Sequence, residues 1–279
     1  MKIIILNLAF FVSAFAFGQN SILFFSKIPD VKPAFEMKNN RVQFDRFVFS
    51  REIDSTGVSI NLESNGKEVR SFEGCGSDIN EKESAERYNY AKIYNLFGGD
   101  RKQALVFLWD CGKDGTGIIN VVDMTGDLKT IFSSEKYGDR GDFRIVDINK
   151  DGKCEILDTG SDVFNGADLI EFDSDAVHPL EIFSFDPIED EYSPANDKFK
   201  KTFYGIADVL KLGVKKNDLP SILELCSVYW YMGEFDKGWK IFDRHYTKKN
   251  KSIVRSKIKA VLNDDLYIKF LKSKITKKR

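Results

Sequence analysis

The spacing of hydrophobic and polar positions changes partway along the chain. From about residue 40 to 185, short apolar runs alternate with Gly, Asn and Asp every 8 to 12 residues. That rhythm belongs to sandwiches, barrels and propellers. "GVSINLES" and "KEVRSFEG" flank Asn65-Gly66, a pair that readily takes the two positive φ values of a hairpin turn. "QALVFLWD" predicts a buried strand, and "GIINVVDM-TGD-LKTIFSS" and "LIEFDSDAVHPLEIFSF" predict two further hairpins.

The stretch 186–201, "DPIEDEYSPANDKFKK", is polar, holds two prolines and changes charge sign midway, which predicts a boundary. Beyond it the period becomes helical. Asp218 is placed to cap a helix, with Pro220 in its first turn. Ile222, Leu225, Cys226, Tyr229 and Met232 then make one stripe, and Gly233 can end it. Phe235, Trp239, Phe242 and Tyr246 make a second stripe. Val254, Ile258 and Val261, then Leu266, Phe270 and Leu271, predict two more helices.

The expected fold is therefore α+β and multi-domain: a β-rich module over residues 19–190, then an α-helical module over 191–279. Charge follows the same division. Residues 198–279 carry a balance of +13 and residues 1–197 a balance of −14, although the whole chain is near neutral at −1. With 42% hydrophobic residues the composition is that of a folding protein and excludes a disordered one.

The chain opens "MKIIILNLAFFVSAFAFGQN". Lys2, a short apolar stretch and the small residues before Gln19 predict a signal peptide over 1–18, cleaved before Gln19. The expected localisation is secreted or periplasmic, with no transmembrane segment in the mature chain. Cys75, Cys111, Cys154 and Cys226 can then oxidise, with three possible complete pairings. Cys75 and Cys111, both beside glycine, are the favoured pair among these, but the expectation is four small buried hydrophobes, since four cysteines in so long a chain are no disulfide scaffold.

One loop carries chemistry. "DINKDGKCEILD" places oxygen donors at Asp147, Asn149, Asp151, Glu155 and Asp158 around Gly152. Alternating oxygens on a tight glycine bend suit Ca²⁺, which takes about six to eight hard ligands. An EF-hand would need helices on both sides, and would use Asp158 as its twelfth ligand. The entering "EKYGDRGDFRIV" and the exiting "EILDTGSDVFNG" suit strands and turns. "FLWDCGKDGTG" echoes the loop at an offset of 37, with Asp110, Lys113, Asp114 and Gly115 matching Asp147, Lys150, Asp151 and Gly152. The echo has Gly112 and Ile118 at its third and ninth positions, so it lacks two ligands.

Between strands, Asp147 to Glu155 resembles the "DxDxDGxxD" loop of FG-GAP and VCBS-type repeats, known from the integrin α-chain propeller, and the resemblance covers about residues 104–185. It implies blade-like sheets and a Ca²⁺ held by the side chains of Asp147, Asn149, Asp151 and Glu155 and the carbonyl of Lys153. Glu155 stands where that family usually has Asp. A second, shorter resemblance lies in "YWYMGEFDKGWKIF", which is similar to the turn of one tetratricopeptide hairpin, with Gly238 as its small residue; one repeat implies no groove.

Enzyme chemistry has little support. His178 and His245 lie far apart in sequence, no "GxSxG" occurs, and Cys75 has no neighbouring base. The tripeptide Arg140-Gly141-Asp142 reads as a turn, and the basic tail "KSKITKKR" as a solvated face docked on an acidic one. The expectation is an exported calcium-binding module for surface or periplasmic binding or adhesion, its partner a protein or a glycan and not nucleic acid. The alternative is a periplasmic inhibitor or accessory factor docking one protein, and a remote one is a carbohydrate-active hydrolase.

Overall fold

The computed structural model describes residues 28–53, 57–75, 89–109, 117–138, 143–159, 163, 164, 169 and 177–277. The expected signal peptide, the echo loop at 110–116 and the Arg-Gly-Asp turn lie outside them. The fold is α+β: among the described residues, thirteen strands in three antiparallel sheets are followed by helices. Among the described residues the sheets do not close into a propeller.

The first sheet runs in sequence order: β2 (Arg41–Phe44), β3 (Phe47–Ile53), β4 (Gly57–Ser64) and β5 (Lys67–Cys75). Asn65 and Gly66 turn β4 into β5 with φ of 53° and 73°, as the dipeptide requires. The second sheet joins β1 (Phe35–Glu36) to β6 (Tyr90–Tyr94), β7 (Gln103–Trp109), β8 (Gly117–Asp123) and β9 (Thr130–Ser133). The third holds β10 (Phe143–Val146), β11 (Glu155–Asp158), β12 (Glu181–Asp186) and β13 (Glu191–Pro194). Of the expected hairpin over 169–185, residues 170–176 lie outside the described residues; β12 pairs with β11 and with β13.

Phe47, Phe49, Ile60 and Leu62 of the first sheet share a core with Ala104, Val106 and Leu108 of β7. β7 reads as a continuous apolar run because its other face is covered as well, with Leu105 also buried. A second, aromatic cluster centres on Phe132 of β9, whose ring lies 4.9 Å from that of Phe183 and 6.2 Å from that of Tyr192. Each such fully buried ring contributes about 1.5–3 kcal/mol.

Among the described residues five α-helices follow: α1 (Lys200–Gly213), α2 (Leu219–Tyr231), α3 (Phe235–His245), α4 (Lys251–Asp264) and α5 (Leu266–Lys277). The Asp218 side chain accepts from Ser221 N at 3.3 Å, and Gly233 ends the α2 turn at φ 79°. Every residue of α2 from Ser221 to Tyr231 is buried, so this helix is the centre of its unit and not a one-sided stripe. Gly238 of α3 allows the approach of α2: a Cβ there would lie 2.4 Å from Trp230 Nε1.

Contacts divide the chain into two compact units. One contains α1 to α4 together with residues 163, 164, 169 and 177–179; the other contains all three sheets and 265–277, hence α5. The expected boundary after residue 190 falls at the turn of the β12–β13 hairpin, where Asp186 pairs with Glu191. Helix α5 packs on its sheet through Tyr267. The Tyr267 hydroxyl accepts from Ala195 N and Asn196 N at 3.3 and 3.2 Å. It also lies 2.9 Å from Ile182 O and 2.6 Å from Asn196 Oδ1, either of which can take its proton.

Candidate metal centre

β10 and β11 are antiparallel, and their last pair, Val146 and Glu155, closes the loop 147–154. The calcium-type loop is thus a hairpin loop between strands, with no helix on either side. Aromatic and β-branched residues on both flanks, Phe143, Ile145, Val146 and Ile156, favour pairing. Lys150 and Gly152 turn the chain with φ of 59° and 80°.

Inside the loop the acceptors face the backbone. Asp147 Oδ1 and Oδ2 accept from Asp151 N at 3.1 Å and Gly152 N at 3.0 Å. Asn149 Oδ1 accepts from Asp151 N at 3.2 Å, and its amide nitrogen donates to Asp151 Oδ2 at 3.0 Å. Asp151 Oδ1 accepts from Lys153 N at 2.8 Å. Glu155 Oε2 reaches back to Ile148 N at 2.9 Å. The residues singled out in the sequence are therefore brought to one short loop. Each carboxylate oxygen keeps a further lone pair beyond the amide it serves, so the donor set fits a hard cation. Among the described residues no three His, Cys, Asp or Glu side chains already stand clustered around one metal-sized point.

Glu155 differs from the others. Its side chain is 4% exposed, whereas Asn149 and Asp151 are exposed. Burial pushes its carboxyl up to about 7; the Ile148 hydrogen bond pulls it down, and the charges of Asp151 and Asp147 add to the rise. Burial likewise pushes the Cys154 thiol up to about 12, with Asp147, Glu155 and Asp151 contributing. A cation beside these groups would relieve the repulsion.

The loop is braced from beneath by residues its own sequence does not mark. Cys154 N donates to Leu96 O at 2.7 Å, and Tyr192 Oη donates to Cys154 O at 3.0 Å. These contacts join segments 58 and 38 residues away in sequence, and no local spacing signals them. Asp158 lies at the far end of β11, opposite Phe143 and Glu181, and is 0% exposed. That position separates it from the loop by a strand. Cys154 and Cys226 are buried free thiols.

No helix among the described residues is long and apolar enough to cross a membrane. No protein-family model matches this chain, and neither a curated protein nor a solved structure matches it.

Proposed function

We propose that this chain is an exported binding module whose 147–155 loop holds one structural Ca²⁺ and whose role is attachment at a surface, to a protein or a glycan, and not catalysis. The side chains of Asp147, Asn149, Asp151 and Glu155 and the carbonyl of Lys153 would supply the ligands. One observation carries the reading: a loop between paired strands turns four oxygen-bearing side chains onto its own interior. That arrangement supports the FG-GAP and VCBS-type resemblance over the EF-hand one. Export rests on the first 18 residues of the sequence.

A bound cation would fix an exposed loop and tie β10 to β11, leaving the rim rigid for a partner. The test has two parts. Thermal unfolding with calcium and with chelator reads the metal: equal melting temperatures reject it. Retention of the protein on envelope glycans or surface fractions, with calcium and with chelator, reads the attachment. Melting that rises with calcium but no calcium-dependent retention would keep the metal and reject the surface role.

A further inference from the structure

An open groove of ≈ 710 Å³ is lined by residues 32–36, 38 and 41–43, all of the sheet unit. It runs beside two sheet edges, since β1 ends the order of the second sheet and β2 that of the first. Edge strands are natural sites for adding a further segment. Three cationic side chains line it, Lys32, Lys38 and Arg41, all exposed. Among the described residues no carboxylate pairs with any of the three. The one acidic side chain in the lining, Glu36, is 3.7 Å from Lys92. Between the charges Phe35 is 44% exposed, its ring 5.7 Å from that of Phe44. The groove therefore asks for an acidic segment carrying an apolar side chain.

The same unit displays such a segment. The turn between β12 and β13 reads Asp186-Pro187-Ile188-Glu189-Asp190, and Ile188 is 89% exposed. Asp190 is engaged by Arg101 and Lys129, at 3.3 and 3.2 Å. The carboxylates of Asp186 and Glu189 have no cationic partner among the described residues; Lys129 Nζ reaches only the Glu189 carbonyl, at 3.5 Å. The tip is already shaped: Ile188 N donates to Asp186 Oδ1 at 3.0 Å, and Lys129 Nζ donates to Asp190 O at 2.9 Å. A preformed tip loses little entropy on docking. No residue of the tip lines the groove of its own molecule.

We infer that the occupant of the groove is the β12–β13 tip of a second copy of this chain. Ile188 packs on Phe35, and Asp186 and Glu189 face Lys32, Lys38 and Arg41. The contact is heterologous: each docked copy still offers one groove and one tip, so association continues into a chain or closes into a ring. A hairpin tip buries little area, below about 1,200 Å² in total, which places the contact in the weak class. Its charge component makes it sensitive to salt.

Sedimentation of the full chain across a concentration series tests this, with chelator throughout so that the calcium loop plays no part. Average mass should rise with concentration at low salt and fall back to monomer at about 1 M salt, where the Debye length is about 3 Å. Arg41→Glu and Ile188→Asp should each abolish the rise, with circular dichroism unchanged because both side chains lie at the surface. A mixture of the two variants contains one working groove and one working tip, and should stop at dimers. A wild type that stays monomeric at every concentration overturns the inference. So does association that survives either variant, or a mixture that stays monomeric.

Discussion

The backbone N–H of Ile148 donates to Glu155 Oε2 at 2.9 Å, so the last acidic residue of the loop grips its second residue across the mouth of the hairpin. The bond fixes a buried carboxyl beside two other carboxylates, and the metal reading depends on this geometry.

Calcium should raise the melting temperature of the wild type. At 100-fold excess over the dissociation constant the gain is about 2.7 kcal/mol. Asp151→Asn should lose most of that gain while keeping the oxygen that accepts from Lys153 N. Asp147→Ala should lose it too, and should also unfold earlier in chelator because Gly152 N loses its acceptor and Asp151 N keeps only Asn149 Oδ1. Asp158→Asn should keep the whole gain, since Asp158 sits at the far end of β11. If it behaved like Asp151→Asn, the twelfth-ligand geometry of an EF-hand would be back in play.

In chelator, stability should depend on pH through Glu155. Its folded pKa, about 7, lies above the ordinary 4.5. Between those values the folded state holds a proton that the unfolded state has released. Its contribution is full below about pH 4.5 and is lost as the pH rises through about 7. Glu155→Gln should flatten that slope in denaturant titrations across the window. An unchanged slope would show that Glu155 does not titrate there.

Gly238→Ala should destabilise the helical unit by about 1–3 kcal/mol, the usual cost of overpacking, even though alanine is the better helix former by about 1 kcal/mol. The added Cβ meets the Trp230 indole at 2.4 Å. Trp230→Leu in the same chain should recover part of the loss, and a double-mutant cycle measures the coupling.

Tyr267→Phe removes a hydroxyl that serves Ala195 N, Asn196 N and either Ile182 O or Asn196 Oδ1. Leaving buried partners unmet costs about 1–3 kcal/mol. Denaturant unfolding should show that loss. A change of a few tenths would mean the sheet reorganises around Asn196.

A chain ended after residue 190 would lose β13 and α5, both part of the sheet unit. It would uncover Phe183 and the edge of β12. Such a chain should be insoluble or molten, whereas one that keeps the full sequence should show a cooperative transition. A soluble, cooperatively melting 28–190 fragment would show that β13 and α5 are dispensable.

The strand and helix periods were legible because they are local. Asn65-Gly66 specified its hairpin through φ alone, Asp218 and Gly233 bounded α2, and the strands flanking the loop were visible in Phe143 to Val146. β13 was not legible. Its segment is polar and proline-flanked, so it reads as a linker, and it is a strand because Tyr192 to Pro194 are buried in the tertiary structure. Tyr267 was hidden for a related reason: the pattern points to Leu266, which is 40% exposed, while the buried face of α5 is Tyr267, Ile268 and Leu271.

The sequence by itself determined the change from strand to helix, the turn chemistry and which oxygen-bearing side chains share one loop, all of which depend on residues a few positions apart. The tertiary structure alone decided which unit the last helix joins, that Asp158 is buried in a strand and not in the loop, and that Leu96 and Tyr192 brace Cys154. Those outcomes depend on contacts between segments far apart in the chain, where burial and backbone hydrogen-bond satisfaction outweigh local preference.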